Sequence, residues 1–151
     1  VDGMGLHSPL RQHRVHDPKG KHYEGNVMIH GTVNPENSFA PEMMGHFAPY
    51  GSYSVMGRGY MFSLQRYGGG PDDHRTSLMY VLPRDGGDEG LFAELGIAKP
   101  ESREGGIMAD EERLEKVRAW IKRDMDGVFD PVYHQAVDAL ERVTIRANYT
   151  H

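Results

Sequence analysis

Nine histidines and no cysteine decide which chemistries this chain can attempt. His7, His13, His16 and His22 cluster near the start, but their spacing is irregular, the segment is polar and carries Pro9 and Pro18, and no thiolate joins them, so no metal centre is expected. Without cysteine there is also no thiolate nucleophile and no disulfide framework. Gly68-Gly69-Gly70 has the glycine content of a phosphate loop, yet Pro71-Asp72-Asp73 puts negative charge where a phosphate would sit, and the stretch reads as a hairpin turn. Asp85-Gly86-Gly87-Asp88-Glu89 offers oxygen ligands without the EF-hand spacing. No Ser-His-Asp order stands out, and no residue is assigned a catalytic role. His30 differs from these because it falls on the less apolar side of an alternating stretch, with Met28 and Thr32. An imidazole there is either an ordinary surface histidine or a donor and acceptor for a ligand.

The elements that would carry these residues follow from periodicity. Residues 23–33 alternate, with Val27, Ile29 and Val33 on one side and Met28, His30 and Thr32 on the other, as a half-buried strand does. Pro35 and Pro41 bracket a short helical turn closed by Gly45. Residues 52–56, 60–67 and 76–82 are rich in aromatic and aliphatic side chains and are separated by glycine turns, which predicts an antiparallel meander. A short helix over 88–95 ends at Gly96, and 99–106 is a polar linker.

The clearest helix has Asp110 as N-cap, Glu111 and Glu112 in its first turn, Lys122 and Arg123 in its last, and a stripe of Leu114, Val117, Ile121 and Met125. Asp130-Pro131 starts another, with Val132, Ala136, Val137 and Leu140 on one face, and 143–149 returns to strand. The order predicts an α+β domain with its helices on one face of an antiparallel sheet.

At 151 residues, 38% hydrophobic and 26% charged, the chain can supply one ordinary core. No apolar run approaches the roughly 20 residues that span a bilayer, so no integral membrane segment is expected. A net charge of -5 with scattered Arg and Lys argues against a nucleic-acid partner. The absence of cysteine suits a cytoplasmic setting.

Asp2-Gly3 followed by Ser8-Pro9-Leu10-Arg11 resembles the Asp-Gly motif of the FAD-dependent aromatic-ring monooxygenases of the para-hydroxybenzoate hydroxylase class, the tetracycline-inactivating enzymes among them. Ser8 and Arg11 sit about two positions later than in that family's usual pattern. The order of elements is similar too, through the strand 23–33, the Pro-flanked turn, the meander, the Trp120 helix, Phe129-Asp130-Pro131 and the strand with Val143-Thr144-Ile145-Arg146. The likeness covers nearly the whole chain.

The resemblance implies that residues 1–21 are a remnant of an FAD-binding domain and 22–151 a substrate-binding domain. Asp2, Gly3, Ser8 and Arg11 would then contact FAD, NAD(P)H would be the co-substrate, and flanking FAD-binding segments would lie in a longer chain, because the Gly-x-Gly-x-x-Gly and Gly-Asp motifs are not in this sequence. His30 corresponds to a polar substrate contact, Tyr53 to the position of a substrate-side Arg, and Phe62 to an apolar contact. The expected activity is hydroxylation of an aromatic or polycyclic small molecule. Halogenase and reductase branches share the architecture. The rival expectation is a non-enzymatic α+β module that binds a small apolar molecule.

Overall fold

The computed structural model describes residues 22–33, 51–66, 76–100 and 107–150. Five strands form one antiparallel sheet, β1 (His22–Val33), β2 (Ser52–Gly57), β3 (Tyr60–Arg66), β4 (Thr76–Pro83) and β5 (Leu140–Thr150), in the spatial order β2-β3-β4-β1-β5. Among the described residues three α-helices, α1 (Gly87–Leu95), α2 (Glu111–Met125) and α3 (His134–Asp138), join the sheet in an α+β fold. β2 and β3 are joined by the two-residue turn Arg58-Gly59, where both φ angles are positive, 52° and 84°. That geometry matches the right-handed twist of the strands it connects.

Cross-strand pairing sets the two faces. Val55, Phe62, Tyr80, Ile29 and Ile145 lie opposite one another in one row, and Tyr53, Leu64, Leu78, Gly31 and Val143 form the next. Of these ten, all but the half-buried Tyr53 and Val55 are buried. The helices supply the other half of the core. Leu91, Phe92 and Leu95 come from α1, Leu114, Val117, Trp120, Ile121 and Met125 from α2, and Ala136 and Val137 from α3. The expected α2 is found as read, with the Asp110 carboxylate accepting from the Arg113 amide at 3.1 Å and Lys116 Nζ 3.1 Å from Glu112 Oε1.

The Asp130 region differs from the expected continuous helix. Asp130 accepts from Val132 N, Pro131–Tyr133 makes a single 3-10 turn, and only His134–Asp138 is α-helical. Leu140 is not on that helix; it opens β5, paired with Val33, while Arg142 pairs with Thr32. Glu141 is therefore an extra residue, a β-bulge. The bulge lets both Leu140 and Val143 point into the core, with Arg142 on the opposite face. From α2, Arg118 donates to the Leu140 carbonyl and is itself held by Glu111 and Glu115, each at 2.6 Å.

At Gly31 the junction of β1 and β5 leaves no room for a side chain. A Cβ there would stand 2.3 Å from Leu140 Cδ2 and 2.7 Å from the Arg142 carbonyl oxygen. The expected turn over 35–45, the Gly68-Gly69-Gly70 hairpin and residues 1–21 lie outside the described residues.

Candidate functional site

The face turned away from the helices is a regular grid built by strand pairing. One row runs Met56, Met61, Val81, Met28, Arg146. The next runs Ser54, Ser63, Met79, His30, Thr144, and a third runs Ser52, Gln65, Ser77, Thr32, Arg142. Because side chains alternate along each strand, these fifteen positions share one side. Apolar atoms dominate one end, hydroxyl and amide groups the other, and none of the fifteen is a carboxylate.

His30 lies within this grid, exposed, between Met79 and Thr144 in neighbouring strands. Partial desolvation, and then the nearby Arg146 guanidinium, hold its pKa below the usual 6.5. At neutral pH the ring is uncharged, so it offers one N–H donor and one nitrogen acceptor. Beside it, a groove of ≈ 180 Å³ is lined by His30, Thr32, Thr144, Arg142 and Ile107. Ile107 is held at its wall by the next residue, Met108, whose amide donates to the Val143 carbonyl at 2.8 Å and whose carbonyl accepts from Val143 N at 2.9 Å. That bridge buries Met108 and leaves Ile107 exposed over the groove.

The structure does not bring His30 together with Tyr53 and Phe62. Phe62 is fully buried on the helix side and Tyr53 shares its face, so the pocket expected from all three is not formed. The physical reason is register: Phe62 lies in the row of Ile29, one residue from His30 and therefore on the other side of the sheet. Both rings belong to an interior aromatic cluster. Tyr53 stacks on Tyr133 at 5.8 Å, with their hydroxyls 2.5 Å apart, and Phe62 meets Tyr133 at 5.2 Å. Phe129 closes the group edge-on to Tyr60, Tyr80 and Tyr133. Asp2, Gly3, Ser8 and Arg11 lie outside the described residues.

A polar network extends from Tyr80 of the same cluster. Tyr80 donates to Asp124 Oδ2 at 2.8 Å; Arg84 reaches Glu94 at 2.7 Å and stacks over Trp120 at 4.9 Å. Trp120 Nε1 also donates to Glu94. Burial, then the Asp124 carboxylate, push the Tyr80 hydroxyl far above its ordinary pKa, and burial with the Tyr53 bond does the same for Tyr133. Neither phenol ionises near neutral pH, so this network braces β4 against α1 and α2 rather than supplying a base.

Sequence reading placed Met28, His30 and Thr32 on a common face but missed Met61, Met79, Ile107, Arg142 and Arg146 as its companions. The alternation of Ser52 and Ser54 with Tyr53 and Val55 carried part of the signal. No helix among the described residues is long and apolar enough to cross a membrane. No protein-family model matches the chain, and no curated protein matches it either.

Proposed function

We propose that this chain is the substrate-binding part of a longer FAD- and NAD(P)H-dependent monooxygenase that hydroxylates an aromatic or polycyclic small molecule. The single observation that carries the reading is the sheet face that no described helix covers, with His30 set among Met28, Met79 and Thr144. In this reading substrate would lie between the flavin ring and that face of the sheet. Methionine side chains suit a flat apolar ring, being polarizable and able to adjust to its outline. His30 would orient such a ring through one directional hydrogen bond, and the sheet would shield it from water.

Fit to the cofactor rests on that face. It is broad, and with four methionines and a valine it offers an apolar surface to a planar system. Asp2, Gly3, Ser8 and Arg11 would hold FAD, with the remaining contacts from flanking segments. The flavin supplies the oxygen-transfer chemistry; the side chains described here bind and orient. The setting would be cytoplasmic, with NAD(P)H as reductant and no nucleic acid as partner.

The test is to express the full reading frame that contains this chain, record its flavin absorbance, and follow NAD(P)H oxidation with a panel of aromatic compounds. Bound flavin and substrate-stimulated oxidation are expected. A protein purified without flavin, from a reading frame with neither flavin motif, would overturn the proposal in favour of a non-enzymatic small-molecule-binding module.

A further inference from the structure

The two edges of the sheet are finished differently. At β5, Met108 bonds both the amide and the carbonyl of Val143, Arg118 donates to the Leu140 carbonyl, and Glu141, Arg142 and Arg146 stand exposed along the strand. Occupied backbone groups and charged side chains are the usual guards of a sheet edge. Among the described residues β2 has neither. Its sequence, Ser52-Tyr53-Ser54-Val55-Met56-Gly57, holds no charge and no proline, its register against β3 is unbroken, and it has a described strand on one side only.

The hydrogen-bond pattern decides which groups of β2 face outward. Arg66 N donates to the Gly51 carbonyl at 2.6 Å, and Gly57 pairs with Tyr60 across the two-residue turn. Bonded and non-bonded pairs alternate along an antiparallel ladder, so Tyr53, Val55 and Gly57 bond to β3, while the amides and carbonyls of Ser52, Ser54 and Met56 point away from it. The 2.8 Å contact between Ser54 Oγ and Ser63 Oγ fits a non-bonded pair, where side chains come closest. Ser52, Ser54 and Met56 are all exposed, and Tyr53 and Val55 are only half-buried.

Such a strand is complementary to itself. About a two-fold axis at Ser54, Ser54 meets its own copy and Ser52 meets Met56, so every outward amide and carbonyl of both strands is bonded. On the helix side, Tyr53 of one copy stands opposite Val55 of the other, an aromatic ring facing a β-branched residue. Arg58 falls roughly 26 Å from its counterpart along the strands, beyond a Debye length, so like charges do not oppose the pairing. The longer helices leave the approach open. α1 packs on β1 and β5, and α2 on β5, at the far end of the strand order from β2.

We propose that β2 is the pairing edge for a second copy of this chain: two copies join antiparallel about an axis at Ser54, and their sheets become one continuous sheet with both helix layers on the same side. The pairing closes on itself, because each copy uses its open edge and presents only the guarded β5 outward. It is also small, with six residues of strand a side against about 20 to 30 residues in a stable interface, so half-dimerisation falls on the order of 100 µM. Nothing in it depends on the flavin reading above.

Sedimentation equilibrium of the 151-residue chain from about 1 µM to 1 mM reads the association. The mass should rise toward twice that of the monomer and no further. Over the same range, amide exchange at Ser52, Ser54 and Met56 should slow as concentration rises, with Tyr53 and Val55 protected throughout. Ser54→Lys and Ser54→Glu each set like charges opposite one another across the axis, and each should weaken the dimer by at least about threefold. An equimolar mixture of the two variants should associate at least as well as the parent, since opposite charges then face each other. Met79→Lys, in the middle of the open face, should associate as the parent does.

A chain that stays monomeric to the highest concentration, or one that grows past the dimer, would overturn the proposal. So would exchange at Ser52, Ser54 and Met56 that ignores concentration, a measurement that needs no variant. A mixture of the Ser54 variants no stronger than either alone would remove the axis, and loss of association in Met79→Lys would move the contact from the edge of the sheet to its face.

Discussion

Replacing Gly31 by Ala is a sharp probe of the junction between β1 and β5. The added methyl would stand 2.3 Å from Leu140 Cδ2 and 2.7 Å from the carbonyl oxygen of Arg142. Leu140 is fully buried, so its side chain has little free space to enter, and the carbonyl belongs to the strand that carries the bulge. Overpacking of this kind costs about 1 to 3 kcal/mol. Against that, Gly31 does not occupy the left-handed region, so Ala fits its backbone and recovers about 0.5 to 1 kcal/mol of chain entropy. With two contacts under 3 Å the upper half of the overpacking range applies, and the expected net loss is about 2 kcal/mol.

Urea unfolding of Gly31→Ala measures that loss directly, and a cycle with Leu140→Ala assigns it. Leu140→Ala alone should cost about 2 to 5 kcal/mol. In that background the Cδ2 contact is gone and the carbonyl contact remains, so Gly31→Ala should cost less without becoming neutral. A Gly31→Ala protein more stable than the parent would refute the close approach, and with it the bulge that sends Leu140 inward and Arg142 outward.

Tyr80→Phe should lose about 1.5 to 3 kcal/mol, because the hydroxyl donates to a carboxylate and its removal leaves Asp124 short of a partner; thermal or urea unfolding checks it. Asp110→Ala removes the side-chain cap of α2 and should cost about 1 kcal/mol, read from the same unfolding curves. The His30 ring, followed by proton NMR, should titrate below 6.5, and Arg146→Gln should move it upward. Since its folded pKa is lowered, the unfolded chain takes up the proton first. The His30 share of stability is therefore unaffected above 6.5 and is lost as pH falls through 6.5 toward the folded value, a decline that His30→Gln should remove. Arg58→Asn at the positive-φ turn position should raise stability by a few tenths of a kcal/mol to about 1, again by urea unfolding.

Much of the architecture was legible because β1, β3 and β4 obey a two-residue period and α2 carries a cap, a stripe and graded charge. The site was legible only in part. Tyr53 and Phe62 were placed beside His30 by likeness to a family, although the serines flanking Tyr53 already marked its side as the apolar one. Arg142 and Arg146 alternate with Val143 and Ile145, so their common face follows from spacing once the strand is read; what the bulge at Glu141 hides is that Leu140 also turns inward, where it meets Gly31 of a different strand. The ending of the Asp130 helix after five α-helical residues has the same origin: Leu140 is pulled into β5 by its pairing with Val33, so the helical period stops where the sheet claims the chain.

The methionine row also bears on how such a surface would evolve. Met56, Met61 and Met28 are unbranched and free to change rotamer, so an outline they accept is not unique, and ring systems of different shape can be accommodated at little cost. On such a surface discrimination by shape would be weak. Exchanges at Met28, Met61 or Met56 would also leave the core undisturbed, because they stand on the side of the sheet opposite Ile29, Phe62 and Val55. A sheet arranged this way separates what it must keep from what it can change by one residue along each strand.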